Sequence, residues 1–175
     1  MAVKNYWSFE PGETIVAEQL MKHLPEYDFY FPLKDTGVDI LGVHKKTNKV
    51  LKFQVKESRY YEKEEHSWHQ ESVKNLDENK GRCDYYIFVT YIPSHLLPRQ
   101  QKPSFKTDFI IISMSELLKR VSKKTPTKSG KHAFYFRYDF ENNSIVEIRQ
   151  KGKVWDKDKD FDYSKFRNNW DQLKN

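Results

Sequence analysis

The sequence predicts an α/β domain with the element order α, β, β, β, α, β and a β-rich extension after it. Three observations carry that expectation. The segment ETIVAEQLMKHL places Ile15, Val16, Ala17, Leu20, Met21 and Leu24 in one broad stripe at helical spacing. GVDILGV and VLKFQVKES alternate apolar and polar residues with the period of two that separates the faces of a strand. DYYIFVTYI is an almost unbroken apolar run, the pattern of a strand covered on both faces.

In chain order, Pro11 and Gly12 precede the first helix and Pro25 ends it, because the residue before a proline is pushed out of the helical region. Strands follow near 28–31, 38–43 and 50–57, the last two joined as a hairpin by a turn at Thr47 and Asn48. The polar stretch 62–80 is helix-compatible, with Trp68, Ser72 and Leu76 on one face and Gly81 as its stop. A buried strand over 84–92 completes the core. Beyond it come a loop after Pro98, a strand at 109–113, a helix over 115–121 capped by Ser115, and a strand pair turning at Glu141, Asn142 and Asn143.

At 175 residues the chain fits one domain, which buries roughly 70% of its unfolded surface. The core is expected over about 11–92 and the extension over about 93–175, with no linker long enough to part them. No apolar stretch approaches the ~20 residues that span a bilayer, and MAVKNYWSFEPGE lacks the apolar centre of a secretory signal. The expected location is therefore the cytoplasm, without membrane contact. Cys83 is the single cysteine, which excludes an internal disulfide framework and a cysteine-built zinc cage within one chain. The absence of a glycine-rich phosphate loop argues against ATP or NAD use.

Asp39, Gln54 and Lys56 carry the chemical signal. Leu51, Phe53 and Val55 fall on one face of their strand, and Lys52, Gln54 and Lys56 on the other, so an amide and an ammonium leave the sheet side by side. Asp39 interrupts an apolar strand, where a carboxylate is costly unless paired or bound to a metal. Taken singly, each is an ordinary residue: an aspartate bonded to a turn, and two residues on a half-exposed face. Together they form a small set of oxygen donors beside a cation, suited to a divalent ion and a phosphate. Glu13 lies within the apolar stripe of the first helix, in line with Ala17, Leu20 and Leu24. It reads equally as a third oxygen donor or as a first-turn acid favoured by the helix dipole. Glu18 is the fallback, and Glu57 points to the opposite face of its strand from Lys56.

The order of GETIVAEQL, GVDIL and FQVK, with these elements around them, resembles the PD-(D/E)XK nuclease superfamily in its Gln-x-Lys subgroup, the frame of homing and restriction endonucleases. The resemblance covers about residues 11–92. It implies a restriction-endonuclease-like αβββαβ core with a mixed central sheet, and a Mg2+-dependent (or Mn2+-dependent) endonuclease acting on DNA, with RNA as the other substrate class. It further implies Asp39, Gln54 and Glu13 as metal ligands and Lys56 as the catalytic lysine. Gln54 stands where an anionic ligand is usual, so the site carries one negative charge fewer. The rival expectation is a catalytically inactive module of the same fold that binds nucleic acid or a partner protein. Cutting both strands of a duplex requires two sites, which makes a homodimer an expectation from symmetry.

The net charge is +6. Six basic residues, Lys119, Arg120, Lys123, Lys124, Lys128 and Lys131, occur without an acid between them, a stretch that either attracts polyanions or is a solvated loop. Lys119, Arg120, Lys123 and Lys124, with Arg59 after the third strand, are the candidate nucleic-acid contacts. Tyr60 and Tyr61 stack on a base or cover the sheet edge. His66 and His69, three apart in the expected helix, read as solvent-exposed histidines rather than a zinc pair. From Lys151 the charges alternate in sign, which reads as a solvated tail anchored by Trp155, Phe161, Tyr163, Phe166 and Trp170.

Overall fold

The computed structural model describes residues 11–33, 37–93, 96, 105–148 and 161–174. Helix α1 (Pro11–His23) is followed by strands β1 (Tyr27–Tyr30), β2 (Ile40–His44) and β3 (Val50–Tyr61). Strand β4 (His66–Ser72), helix α2 (Val73–Asn79) and strand β5 (Tyr85–Pro93) come next. Strand β6 (Phe105–Ser113), helix α3 (Met114–Val121), and strands β7 (Lys131–Asp139) and β8 (Ser144–Ile148) complete the α-helices and β-strands among the described residues. The chain is a mixed α/β fold with a mixed sheet, as the sequence leads one to expect.

Strand β3 organises the molecule. Its first half pairs antiparallel with β2, Ile40 opposite Phe53, and from Phe53 to Arg59 it pairs in parallel with β5. Strand β6 continues antiparallel from β5. The far end of β3 turns away from this sheet and pairs with β4 at Tyr60 and Tyr61, and β7 and β8 extend that second branch. The alternation along β3 is realised as read. Phe53 and Val55 pack with Val16, Ala17 and Leu20 of α1 and with Leu24 just after it in one core cluster, while Tyr86, Phe88, Phe134 and Phe136 belong to a second. Val16, Leu20 and Leu24 have no exposed surface, and each contributes about 1.5–3 kcal/mol by leaving water.

Four expectations are corrected. The helix expected over 62–80 is a 3-10 turn at Glu62–Glu64, then β4, and only then α2. HSWHQES alternates buried Ser67, His69 and Glu71 with exposed Trp68 and Gln70, and its polar inward side chains disguise a strand whose backbone is satisfied by β7. His66 and His69 are consequently buried, and three residues apart on a strand they face opposite sides. The cap of α3 is Ser113, whose hydroxyl accepts the Glu116 N–H at 3.3 Å, so the helix begins one residue earlier than expected. The carboxy-terminal segment is not a solvated tail: Phe161 is buried, Tyr163 and Phe166 pack with the β7 and β8 side, and Trp170 and Leu173 join the α1 cluster. Trp155 lies outside the described residues.

That segment is latched by a buried ion pair. Arg167 donates to Asp108 of β6 at 2.6 Å, and both side chains are almost fully enclosed. Asn168 adds a side-chain bond to Asp108 and exchanges two bonds with the Phe109 backbone, at 2.8 and 3.0 Å.

Candidate active site

Strand β2 ends its pairing with β3 at Ile40, and the chain before it must enter over the edge of β3. Gly37 makes that entry, with φ of +78° and a backbone so close to Asn79 of α2 that a Cβ would stand 1.8 Å from its amide oxygen. Two residues later Asp39 keeps one main-chain bond, donating its N–H to the Phe53 carbonyl at 2.8 Å. Its carboxylate then substitutes for the missing strand: Oδ2 accepts the Val55 N–H at 2.7 Å. The same oxygen receives the Gln54 side-chain amide. The acid and the amide that lie fifteen positions apart in sequence are thus in direct contact, and both are buried.

Gln54 uses only half of its side chain here. Its Nε2 donates to Asp39, whereas its Oε1 is buried without a hydrogen-bond partner. A buried amide oxygen left in that state is destabilising by about 1–3 kcal/mol, and an oxygen beside a buried carboxylate is a donor suited to a hard cation. The donor set therefore fits a hard divalent ion through the carboxylate of Asp39 and the neutral oxygen of Gln54. Among the described residues no three His, Cys, Asp or Glu side chains gather to hold a metal by themselves.

Glu13 is buried in the first turn of α1, the helix that covers the Phe53 and Val55 side of β3. Beside it, the Gly12 N–H donates to Glu57 Oε2 at 2.6 Å, and the Tyr91 hydroxyl donates to the same oxygen at 2.7 Å. Glu57 thus caps α1 from the opposite face of β3 to Gln54, as the strand period requires.

Lys56 shares the Gln54 face, two residues and about 7 Å further along the strand. Its ammonium lies 3.1 Å from Glu71 of β4 and remains partly open to solvent. A cavity of about 180 Å3 adjoins it, lined by Lys56, Glu57, Trp68, His69 and Gln70. Glu71 is a participant that the sequence concealed, because reading 62–80 as a helix removed it from this strand. The detectable signal was the inward alternation Ser67, His69, Glu71. His69 stands next to the cavity, and complete burial depresses its pKa to about 3, so the imidazole is neutral at ordinary pH. Its Nε2 lies 3.3 Å from the Thr90 hydroxyl.

The proposed nucleic-acid contacts divide. Arg59 is exposed and lies over the Tyr61 ring at 4.7 Å, and Lys119 and Lys123 are exposed. Tyr60 is buried against Tyr138 and Phe140 and covers the interior. Arg120 and Lys124 are corrected from surface cations to interior ones. Arg120 bonds Glu116 at 3.1 Å and lies against the Tyr163 and Phe166 rings, and Lys124 pairs with the fully buried Glu147 over the Phe134 ring. The basic stretch is amphipathic: its inward cations pair with Glu116 one helical turn back and with Glu147 on β8.

No helix among the described residues is long and apolar enough to cross a membrane. No known family's sequence profile and no curated protein matches the chain. A bacterial homing endonuclease, I-Ssp6803I, is similar in structure at a TM-score of 0.44 and 17% sequence identity, over 92% of this chain and 88% of that one.

Proposed function

We propose that this chain is a metal-dependent endonuclease that hydrolyses phosphodiester bonds in DNA. Asp39 and Gln54 are the oxygen donors for Mg2+ or Mn2+, Glu13 is the accessory acid from α1, and Lys56 is the cation that meets the reacting phosphate. The observation that supports this reading is the buried contact between Asp39 and Gln54 with the Gln54 Oε1 left over, on the same face of β3 as Lys56. An ion held there supplies Lewis-acid polarisation of the phosphate. Asp39 and Gln54 orient the donors, and the rigid β3 backbone fixes their spacing. Lys56 orients the attacking water and offsets the negative charge that grows on the phosphate in the transition state.

The decisive experiment is a cleavage panel of plasmid, branched DNA and RNA, with and without Mg2+ or Mn2+, for the wild-type chain, Asp39→Asn and Lys56→Ala. Both variants are expected to lose metal-dependent cutting while remaining folded. Full activity in either removes the assignment, and cutting confined to RNA replaces the substrate. The second reading, an inactive module of the same fold, draws support from the existing ion-pair partner of Lys56. It requires salt-sensitive binding of nucleic acid, or binding of a partner protein, with no metal-stimulated cutting.

A further inference from the structure

Strands β3 and β4 form a fork. Their ladder comprises Tyr60 opposite Ser67 and Tyr61 opposite His66, and extending this register toward the start of β3 sets Lys56 opposite Glu71. Backbone pairing has ceased by then, and side chains span the opening: the Ser58 hydroxyl accepts the Trp68 N–H at 3.3 Å, and Lys56 meets Glu71 at 3.1 Å. The cavity beside Lys56 lies in this fork.

The two ends of the ion pair are not equivalent. Glu71 is 3% exposed, and its Oε1 accepts the Ser72 N–H at 2.9 Å and the Asn75 amide at 3.0 Å. It is a fixed post built into the junction of β4 and α2. Lys56 is a flexible four-carbon arm with an ammonium partly open to solvent, and such a side chain spreads over many rotamers unless something selects one. The pair lies on the face of β3 that bears Gln54, whose neutral amide leaves Asp39 as the acid in direct contact with it.

From this geometry we infer that Glu71 is a positioning residue. It holds the Lys56 ammonium at the mouth of the fork, at a fixed separation from the Asp39 and Gln54 oxygens, and supplies from β4 the negative charge that Gln54 does not carry. This rests on the nuclease reading for its catalytic consequence, but the positioning itself does not. Glu71 acts through Lys56 and touches no substrate.

The test combines cleavage kinetics with a direct view of Lys56. In a sample labelled with 13C at lysine, the two ε-methylene protons of a pinned Lys56 are inequivalent, and in Glu71→Gln they merge as the arm begins to rotate. In cleavage, Glu71→Gln lowers kcat by about 10- to 100-fold, the scale of an ångström of misplacement, while KM is unchanged or reduced because an acid near the phosphates has gone. A structural role alone would lower stability without this split between kcat and KM. Should the Lys56 signals be unchanged in Glu71→Gln, or kcat remain at the wild-type value, the inference is overturned. A wild-type chain that never cuts refutes the nuclease reading and the kinetic consequence with it, and the Lys56 signals still decide whether Glu71 holds the lysine.

Discussion

Replacing Asp39 separates what the carboxylate does for the fold from what it does for an ion. In Asp39→Ala the Val55 N–H and the Gln54 amide both lose their acceptor in a buried place. Each abandoned donor costs about 1–3 kcal/mol, so the sum is about 2–6 kcal/mol. In a domain of this size each kcal/mol moves the melting point by about 2–4 °C, so a mid-range loss of about 4 kcal/mol lowers Tm by about 8–16 °C. Asp39→Asn behaves differently. Its side-chain oxygen, placed where Oδ2 stands, still accepts both the Val55 N–H and the Gln54 amide. The expected result without metal is a Tm within about 4 °C of wild type, on either side, because two charge-assisted bonds become neutral ones while a buried charge is removed. Metal reverses the order: Mg2+ at a hundredfold its Kd stabilises the wild type by about 2.7 kcal/mol and leaves Asp39→Asn unmoved. Differential scanning fluorimetry over a Mg2+ series reads both effects. If Asp39→Asn melts as low as Asp39→Ala, the hydrogen-bond geometry is wrong. Equal Mg2+ shifts in Asp39→Asn and wild type would refute Asp39 as a ligand.

Three further outcomes follow from other parts of the molecule. His69 is held neutral by burial, so the unfolded chain takes up a proton that the native one refuses as pH falls from about 6.5 toward about 3. Stability should decline through that window by about 1.4 kcal/mol per pH unit from this residue, and urea titrations of His69→Gln should show a slope smaller by one proton. Arg167→Met leaves Asp108 charged and enclosed without its guanidinium, an expected loss of about 3–5 kcal/mol in urea denaturation; a loss below about 1 kcal/mol would mean the carboxy-terminal latch contributes little. Lys124→Ala should likewise lower the urea midpoint with no change in the salt dependence of oligonucleotide binding, whereas Lys119→Ala, at an exposed position, should leave stability alone and reduce the salt slope by about one if that surface meets a polyanion.

The candidate site was legible in part because a strand has a rigid period. Once 50–57 is a strand, Gln54 and Lys56 must share a face and Phe53 and Val55 must take the other, whatever surrounds them. Asp39 was legible through the cost of placing an acid in an apolar segment, and its contact with Gln54 answers that cost. The apolar stripe of α1 and the unbroken run of β5 specify their burial with equal directness, because each pattern has one arrangement that removes it from water.

Strand β4 was not legible. HSWHQESVKNLDEN has the polarity of an exposed helix, and local preference for helix or strand differs by less than β7 supplies through a run of cross-strand pairs from Ser67 opposite Phe136 to Ser72 opposite Lys131. Partners 59 to 69 residues away decide that segment, and with it the position of Glu71. The same holds for Arg120 and Lys124, which are cations on a basic stretch until Tyr163 and Glu147 fold against them. What the sequence by itself determined is everything dictated by local periodicity: the α/β class, the faces of β3, and the placement of Gln54 and Lys56 on one of them. What only the tertiary structure decided is which charges neutralise which, because an ion pair across a fork or between strands depends on chain segments that share no local pattern and meet only when the sheet has closed.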